Sequence, residues 1–197
     1  DVQEAAGISR GGFYHHFAAK EDLLTGLIAR MTEQAIQTTE AAVNHTVGDA
    51  LTKLNGLLNG AAQWSADNVD ALRGFVSIFS RPGNEIPYRR ICDAEADVVM
   101  PVLEAIIKAG IDEGTFDPVD ARLTAELMLS LSQGRGEVLI KVFALASQRD
   151  LDAAVDTLDA RLRSEGGICD RLLGLPVGSV ALSNPTEYRR MLAGLVP

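Results

Sequence analysis

Aromatic residues are scarce in this chain: Phe, Trp and Tyr make up 5% of 197 residues, with a single tryptophan. Aromatic and β-branched residues never cluster over more than a few positions, and apolar/polar alternation bounded by turn signals is rare, so a sheet is not expected. Cysteine is nearly absent too. Cys92 and Cys169 stand apart, with no CxxC or Cys/His spacing, which argues against a disulfide scaffold or a structural zinc site. The three histidines are His15, His16 and His45, and they form no Glu-x-x-His pair and no arguable Ser/His/Asp order. No glycine-rich loop joins a strand to a helix. An enzyme is therefore not expected, and no catalytic residue, metal ligand or cofactor is assigned. Nor is there a run of about 18 apolar residues, or a basic region followed by an apolar stretch at the N-terminus. The expectation is a cytoplasmic protein without a membrane partner.

What is present suits a helical globule. Hydrophobic residues make up 47% of the chain and charged residues 23%, enough to bury a sizeable core. The net charge is −9, unevenly spread. Residues 1–30 carry three basic and four acidic side chains, whereas residues 31–197 carry 15 and 23, so the acid load sits in the larger part. Only the first segment can face phosphate without strong repulsion.

Helical periodicity runs through most of the length. Leu23, Leu24, Leu27, Ile28, Met31, Ala35 and Ile36 mark one long helix from about 21 to 44, and Leu51, Leu54, Leu57 and Leu58 a second over 49–65. A shorter helix is expected over 71–79, ended by Arg81-Pro82-Gly83-Asn84. The next spans about 85–110, behind Asn84 as cap, with a kink at Pro101. Asp117-Pro118 then predicts the start of a helix running to about Ser147, and Leu151, Val155, Leu158 and Leu162 a helix to about Arg163. The tail is looser, but Asn184-Pro185-Thr186-Glu187 signals a last short helix with Asn as cap and Glu returning a bond to it.

The most informative stretch lies near the start. In residues 1–17 the apolar positions Val2, Ala5, Ala6, Phe13 and Phe17 flank Gly7-Ile8-Ser9. Gly7 suits the left-handed end of one helix, Ile8 plugs the turn, and Ser9 caps the next, which describes a helix-turn-helix joint. The second helix sets Phe13 and Phe17 on one side and Gly11, Tyr14 and His15 on the other, with Arg10 in its first turn. Such a polar arc can enter a groove, and glycines let the backbone approach phosphates. Lys20 opens the following helix, where a cation opposes the macrodipole and is better explained by an external anion. Singly, these are ordinary surface residues; their joint spacing favours DNA.

The string GISRGGFYHHFAAKEDLL at residues 7–24 resembles the signature of the TetR family of bacterial transcriptional regulators. The resemblance implies an all-α protein with an N-terminal helix-turn-helix head on a C-terminal helical bundle that binds a ligand and dimerises. It divides the chain into a partial head at 1–24, a body at 25–163 and a tail with a short helix at 164–197. By that resemblance Ser9, Arg10, Gly11, Gly12, Tyr14, His15, His16 and Lys20 form the surface for double-stranded operator DNA. Arg10 reaches base edges, Tyr14 and His16 touch phosphates and nearby bases, and Lys20 pins the backbone. The chain departs from the pattern at Gly12 and Ala19, where a hydroxyl or alanine and a polar cap are usual, and the family's preceding helix is not in it. It therefore reads as part of a longer polypeptide.

The resemblance also implies a homodimer and an unidentified small-molecule effector. A helix over 119–147 that is apolar on every side must be buried on every side, so Leu127, Leu131, Arg135, Val138 and Val142, with Val155, Leu158 and Leu162, are the expected dimer interface. A monomeric bundle with that helix at its centre is the alternative. Candidate pocket residues are Trp64, Arg73, Phe75, Phe79, Val99, Leu103 and Met128. The function expected is a ligand-responsive regulator, a repressor released from its operator by the effector; a helical sensor without DNA binding, or an enzyme using carboxylates such as Asp93 and Asp97, are the alternatives.

Overall fold

The computed structural model describes residues 46–67, 69 and 85–195, together with positions 26, 29–30, 33–34, 36–38 and 41, all nine of which are helical. The helices expected over 71–79 and through most of 21–44, and the cap at Asn84, lie outside the described residues. Six helices are bounded: α1 (Ala50–Asp67), α2 (Glu85–Asp112), α3 (Ala121–Gln133), α4 (Gly136–Ser147), α5 (Leu151–Leu172) and α6 (Pro185–Leu195). No strand occurs among the described residues, so the all-α expectation holds. α1 packs on α2, α2 on α3, α4 on α5, and α6 closes the bundle against α1, α4 and α5.

Local chemistry explains where the helices begin. The Asp49 carboxylate accepts the Thr52 N–H at 2.9 Å, and Asp120 accepts the Leu123 N–H at 2.6 Å. Bonds from Thr52, its side chain first, hold the Asp49 carboxyl below the usual carboxylate range. Asp150 caps α5 through Ala153, and Asn184 caps α6 through Glu187. The cap expected at Asn184 is thus present, but the Glu187 carboxylate turns to Arg190 and not back to the cap. Asp120, not Asp117, caps α3, which begins at Ala121; the Asp117 N–H instead ties the loop to the Leu173 carbonyl.

Leu54, Leu103, Ile107, Val142, Leu173 and Leu192 are fully buried and, with Ala125 and Met128 of α3, belong to one core that every bounded helix enters. Leu51 and Leu58 pack on its edge. α2 passes through Pro101 without ending; Pro101 and Asp97, whose carbonyl proline cannot serve as donor, are both exposed. Beyond α2, Gly114 turns the chain at φ +73°, and Phe116 folds back onto Gly110. A Cβ at Gly110 would stand 2.1 Å from the Phe116 ring, so the packing there requires glycine.

Two helices differ from the sequence expectation. The helix expected to Ser147 from near Pro118 is two, interrupted at Gly134 and Arg135. Gly134 and Gly136 each weaken a helix by about 1 kcal/mol relative to alanine. The carbonyls released at the break are taken by the Arg161 guanidinium, which reaches Leu131 at 3.5 Å and Gly134 at 3.3 Å. The helix expected to end near Arg163 continues to Leu172. It runs on through Gly166, where a Cβ would stand 2.9 Å from the Val180 carbonyl oxygen, so the approach of the tail calls for glycine.

Candidate functional site

The residues assigned to DNA contact, Ser9, Arg10, Gly11, Gly12, Tyr14, His15, His16 and Lys20, lie outside the described residues. So do Arg73, Phe75 and Phe79 and the side chain of Trp64 from the expected pocket. The described body places the others. Val99 is half-buried at the core edge, while Leu103 and Met128 are packed inside it. Among the expected interface residues, Val142, Val155, Leu158 and Leu162 are buried within the chain's own core. The reason is that α4 and α5 pack on one another, so their apolar stripes meet inside one protomer. Leu131 and Val138 are half-buried, and Leu127, 43% exposed, faces solvent. Leu123, one turn from Leu127 on α3, and Ile140 on α4 are more exposed still at 51% and 58%, although neither was assigned to the interface.

Arg135 is engaged within its own chain. It holds Glu165, which is 2% exposed and is the most buried ion-paired carboxylate described. The Arg135 Nε donates to Glu165 at 2.6 Å, and the Arg161 Nε donates to its other oxygen at 2.5 Å. One carboxylate thereby ties α5 to the α3–α4 break. Five residues on, fully buried Asp170 accepts the backbone N–H of Gly178 at 2.6 Å and of Val180 at 2.8 Å, fixing the tail to α5. On its far side the tail pairs with α1: the Asn55 side chain donates to Ser179 at 3.0 Å and accepts from Ala181 at 2.8 Å. Cys169, between the two carboxylates, has its thiol pushed up to about 11, by burial first and then by the Glu165 charge.

A third inward carboxylate is different. Glu95 on α2 is half-buried, and desolvation raises its carboxyl above the usual range; among the described residues no ion pair or hydrogen bond to it is formed. Asp93 and Asp97, by contrast, are exposed, as their spacing suggested. The sequence reading passed over Glu95 and Glu165 because an acid inside an apolar stripe resembles the end of the stripe. Helical register alone would have exposed them.

A hollow of about 400 Å³ opens between α5 and the tail, lined by residues that include Leu162, Gly167, Val177 and Leu182, none of them in the expected pocket. Among the described residues no three His, Cys, Asp or Glu side chains gather as a metal-binding group, and no helix is long and apolar enough to cross a membrane.

Residues 1–27 match the family model of the bacterial regulatory proteins, tetR family. YfiR of Bacillus subtilis (strain 168), named as an HTH-type transcriptional regulator, is 24% identical over 137 residues, 68% of this chain. The chain spans 65% of that relative's length. No solved structure matches it. The string at residues 7–24 lies within the match across residues 1–27, so the N-terminal segment of the chain is similar to the bacterial regulatory proteins of the tetR family, and the described body behind it is all-helical.

Proposed function

We propose that the protein regulates transcription in the cytoplasm, binding operator DNA through residues 9–20 and leaving it when a small molecule occupies the helical body. The observation that carries this reading is the string at residues 7–24 lying within the family match. Its chemistry agrees. Arg10 and Lys20 bring positive charge to the one segment free of the body's acid load, and Gly11 and Gly12 let backbone N–H groups approach phosphates.

Two heads are needed to span successive major grooves about 34–36 Å apart. We assign the pairing surface to α3 and α4, where exposed Leu123, Leu127 and Ile140 stand beside half-buried Leu131 and Val138. Apolar side chains left in water on helices otherwise packed into a core favour an isologous partner. The effector would act by favouring a spacing of the heads that no longer fits the grooves. The helix from 21 to 44 links head and body in this scheme.

The test is DNA binding by the full-length protein to its own upstream region at two salt concentrations, beside the combined Arg10→Ala, Tyr14→Ala, Lys20→Ala variant. Tight, sequence-selective binding is expected, weakening steeply with salt. The variant loses about 10²-fold or more, with a salt slope lower by about 2. Equal and weak binding by both proteins to upstream DNA and to operators selected from random sequence would overturn the proposal.

A further inference from the structure

We propose that the hollow between α5 and the tail is a binding site for an uncharged, largely apolar small molecule, separate from the pocket expected in the helical body. The hollow holds about 400 Å³, within the range of small-molecule sites. Its lining comes from α5, through Leu162 and Gly167, and from the tail, through Val177, Val180 and Leu182. Val99, Leu103 and Met128 of the expected pocket take no part in it. The inference therefore stands independently of the regulator reading.

The first support is Gly167. A glycine inside a helix weakens it relative to alanine, and its neighbour Gly166 is required by the close approach of the Val180 carbonyl. Gly167 has no such reason: among the described residues, a Cβ there would meet no atom within 4 Å. It leaves open the space that a side chain would fill. The second support is the opposite wall. The tail has no regular structure there, yet each residue from Gly178 to Ser183 is bonded. Gly178 and Val180 donate to Asp170, and Ser179 and Ala181 meet the Asn55 side chain. The Leu182 carbonyl accepts the Tyr188 hydroxyl, and the Ser183 hydroxyl donates to Asp159. A wall held in this way is formed before a ligand arrives, so binding it costs little ordering.

The third support sets the chemical class. Leu162, Val180 and Leu182 are buried and Val177 is exposed, so apolar side chains run from the floor of the hollow to its edge. The polar side chains of the lining are already engaged: Asp170 and Ser183 as above, and the Arg163 Nε with Asp159 at 2.7 Å. With these charges matched, the lining offers no partner to a charge on the ligand, and burying one would be costly. An apolar body is what it can hold.

Naphthalene is the probe, with 2-naphthoate and 2-naphthylmethylammonium as analogues charged in either sense. Binding to the full-length protein is read from the methyl resonances of isotope-labelled Leu and Val. The signals of Leu162, Val177, Val180 and Leu182 are expected to shift together and saturate, with naphthalene binding more tightly than either analogue by about threefold or more. Gly167→Leu, which fills the hollow, should weaken naphthalene about tenfold or more and, with its better helix propensity, unfold at no lower a urea concentration than wild type. Val177→Asp, at an exposed position that leaves the fold alone, should weaken it about threefold. Unmoved methyl signals at these residues, shifts that survive unchanged in either folded variant, or tighter binding of a charged analogue would each overturn the assignment.

Discussion

Glu165 and Glu95 are both glutamates on the inward side of a long helix, and their surroundings differ in kind. Around Glu165 every oxygen is spoken for, and the arginines that hold it also satisfy the carbonyls freed at the α3–α4 break. Glu95 is half-buried, and among the described residues it has no counter-charge. The first arrangement belongs to a region that holds one shape, where α5, the helix break and the tail are joined by saturated polar contacts. The same residue type is thus held by saturated contacts on one helix and left part-buried on another, at opposite signs of cost to the fold.

The comparison breaks most visibly at Glu165. Glu165→Ala leaves two guanidiniums without their carboxylate and is expected to lower unfolding free energy by about 3 kcal/mol, read from urea denaturation. Next, Asp170→Ala frees the Gly178 and Val180 N–H groups that its carboxylate binds, with an expected loss of about 2 kcal/mol. Proteolysis should then cut first near residues 176–181. Gly110→Ala, which presses a methyl group into the Phe116 ring, is expected to cost about 1–3 kcal/mol by the same measurement.

Smaller effects sharpen the contrast. Cys169 lies against Glu165, and a thiol pushed up to about 11 is ionised in about one molecule in a thousand at pH 8. Iodoacetamide should therefore leave Cys169 intact in the native protein, and alkylate it rapidly once Glu165→Ala or urea opens the region. At Glu95 the sign reverses. Its folded carboxyl titrates above the unfolded one, so the native state holds more protons through that window and stability falls as pH rises across it. Glu95→Gln is expected to be more stable than wild type at pH 7 by a small margin, and the margin to vanish as pH drops below the carboxylate range. Thermal melts from pH 7 to pH 4 check this.

Much of the helical layout was legible because periodicity and capping are local. The stripes around Leu54, Ile91 and Leu158 and the cap at Asn184 follow from the sequence alone. The break at Gly134 was obscured by the apolar residues on both sides of it, and the Glu165 that anchors it lies 30 residues beyond Arg135. The extension of α5 was hidden for a related reason: past Leu162 the inward positions are Glu165 and Gly166, an acid and a glycine. Both are explained only by arginines and a tail carbonyl that the fold brings to them. At the site, the residues near the N-terminus were readable as a short string with fixed spacing. The interface was read too far inward, because periodicity tells that Val142, Val155, Leu158 and Leu162 are buried but not whether the neighbour is the same chain.

A hydroxyl-radical footprint of the full-length protein on its own upstream DNA tests most directly that a pair of these chains reads DNA through residues 7–24. Two protected tracts on one face of the duplex, about one helical turn apart or a multiple of it, are predicted. Both should disappear together in the Arg10→Ala, Tyr14→Ala, Lys20→Ala variant and in Leu127→Arg. A single tract, or protection that survives in the triple variant, would contradict it.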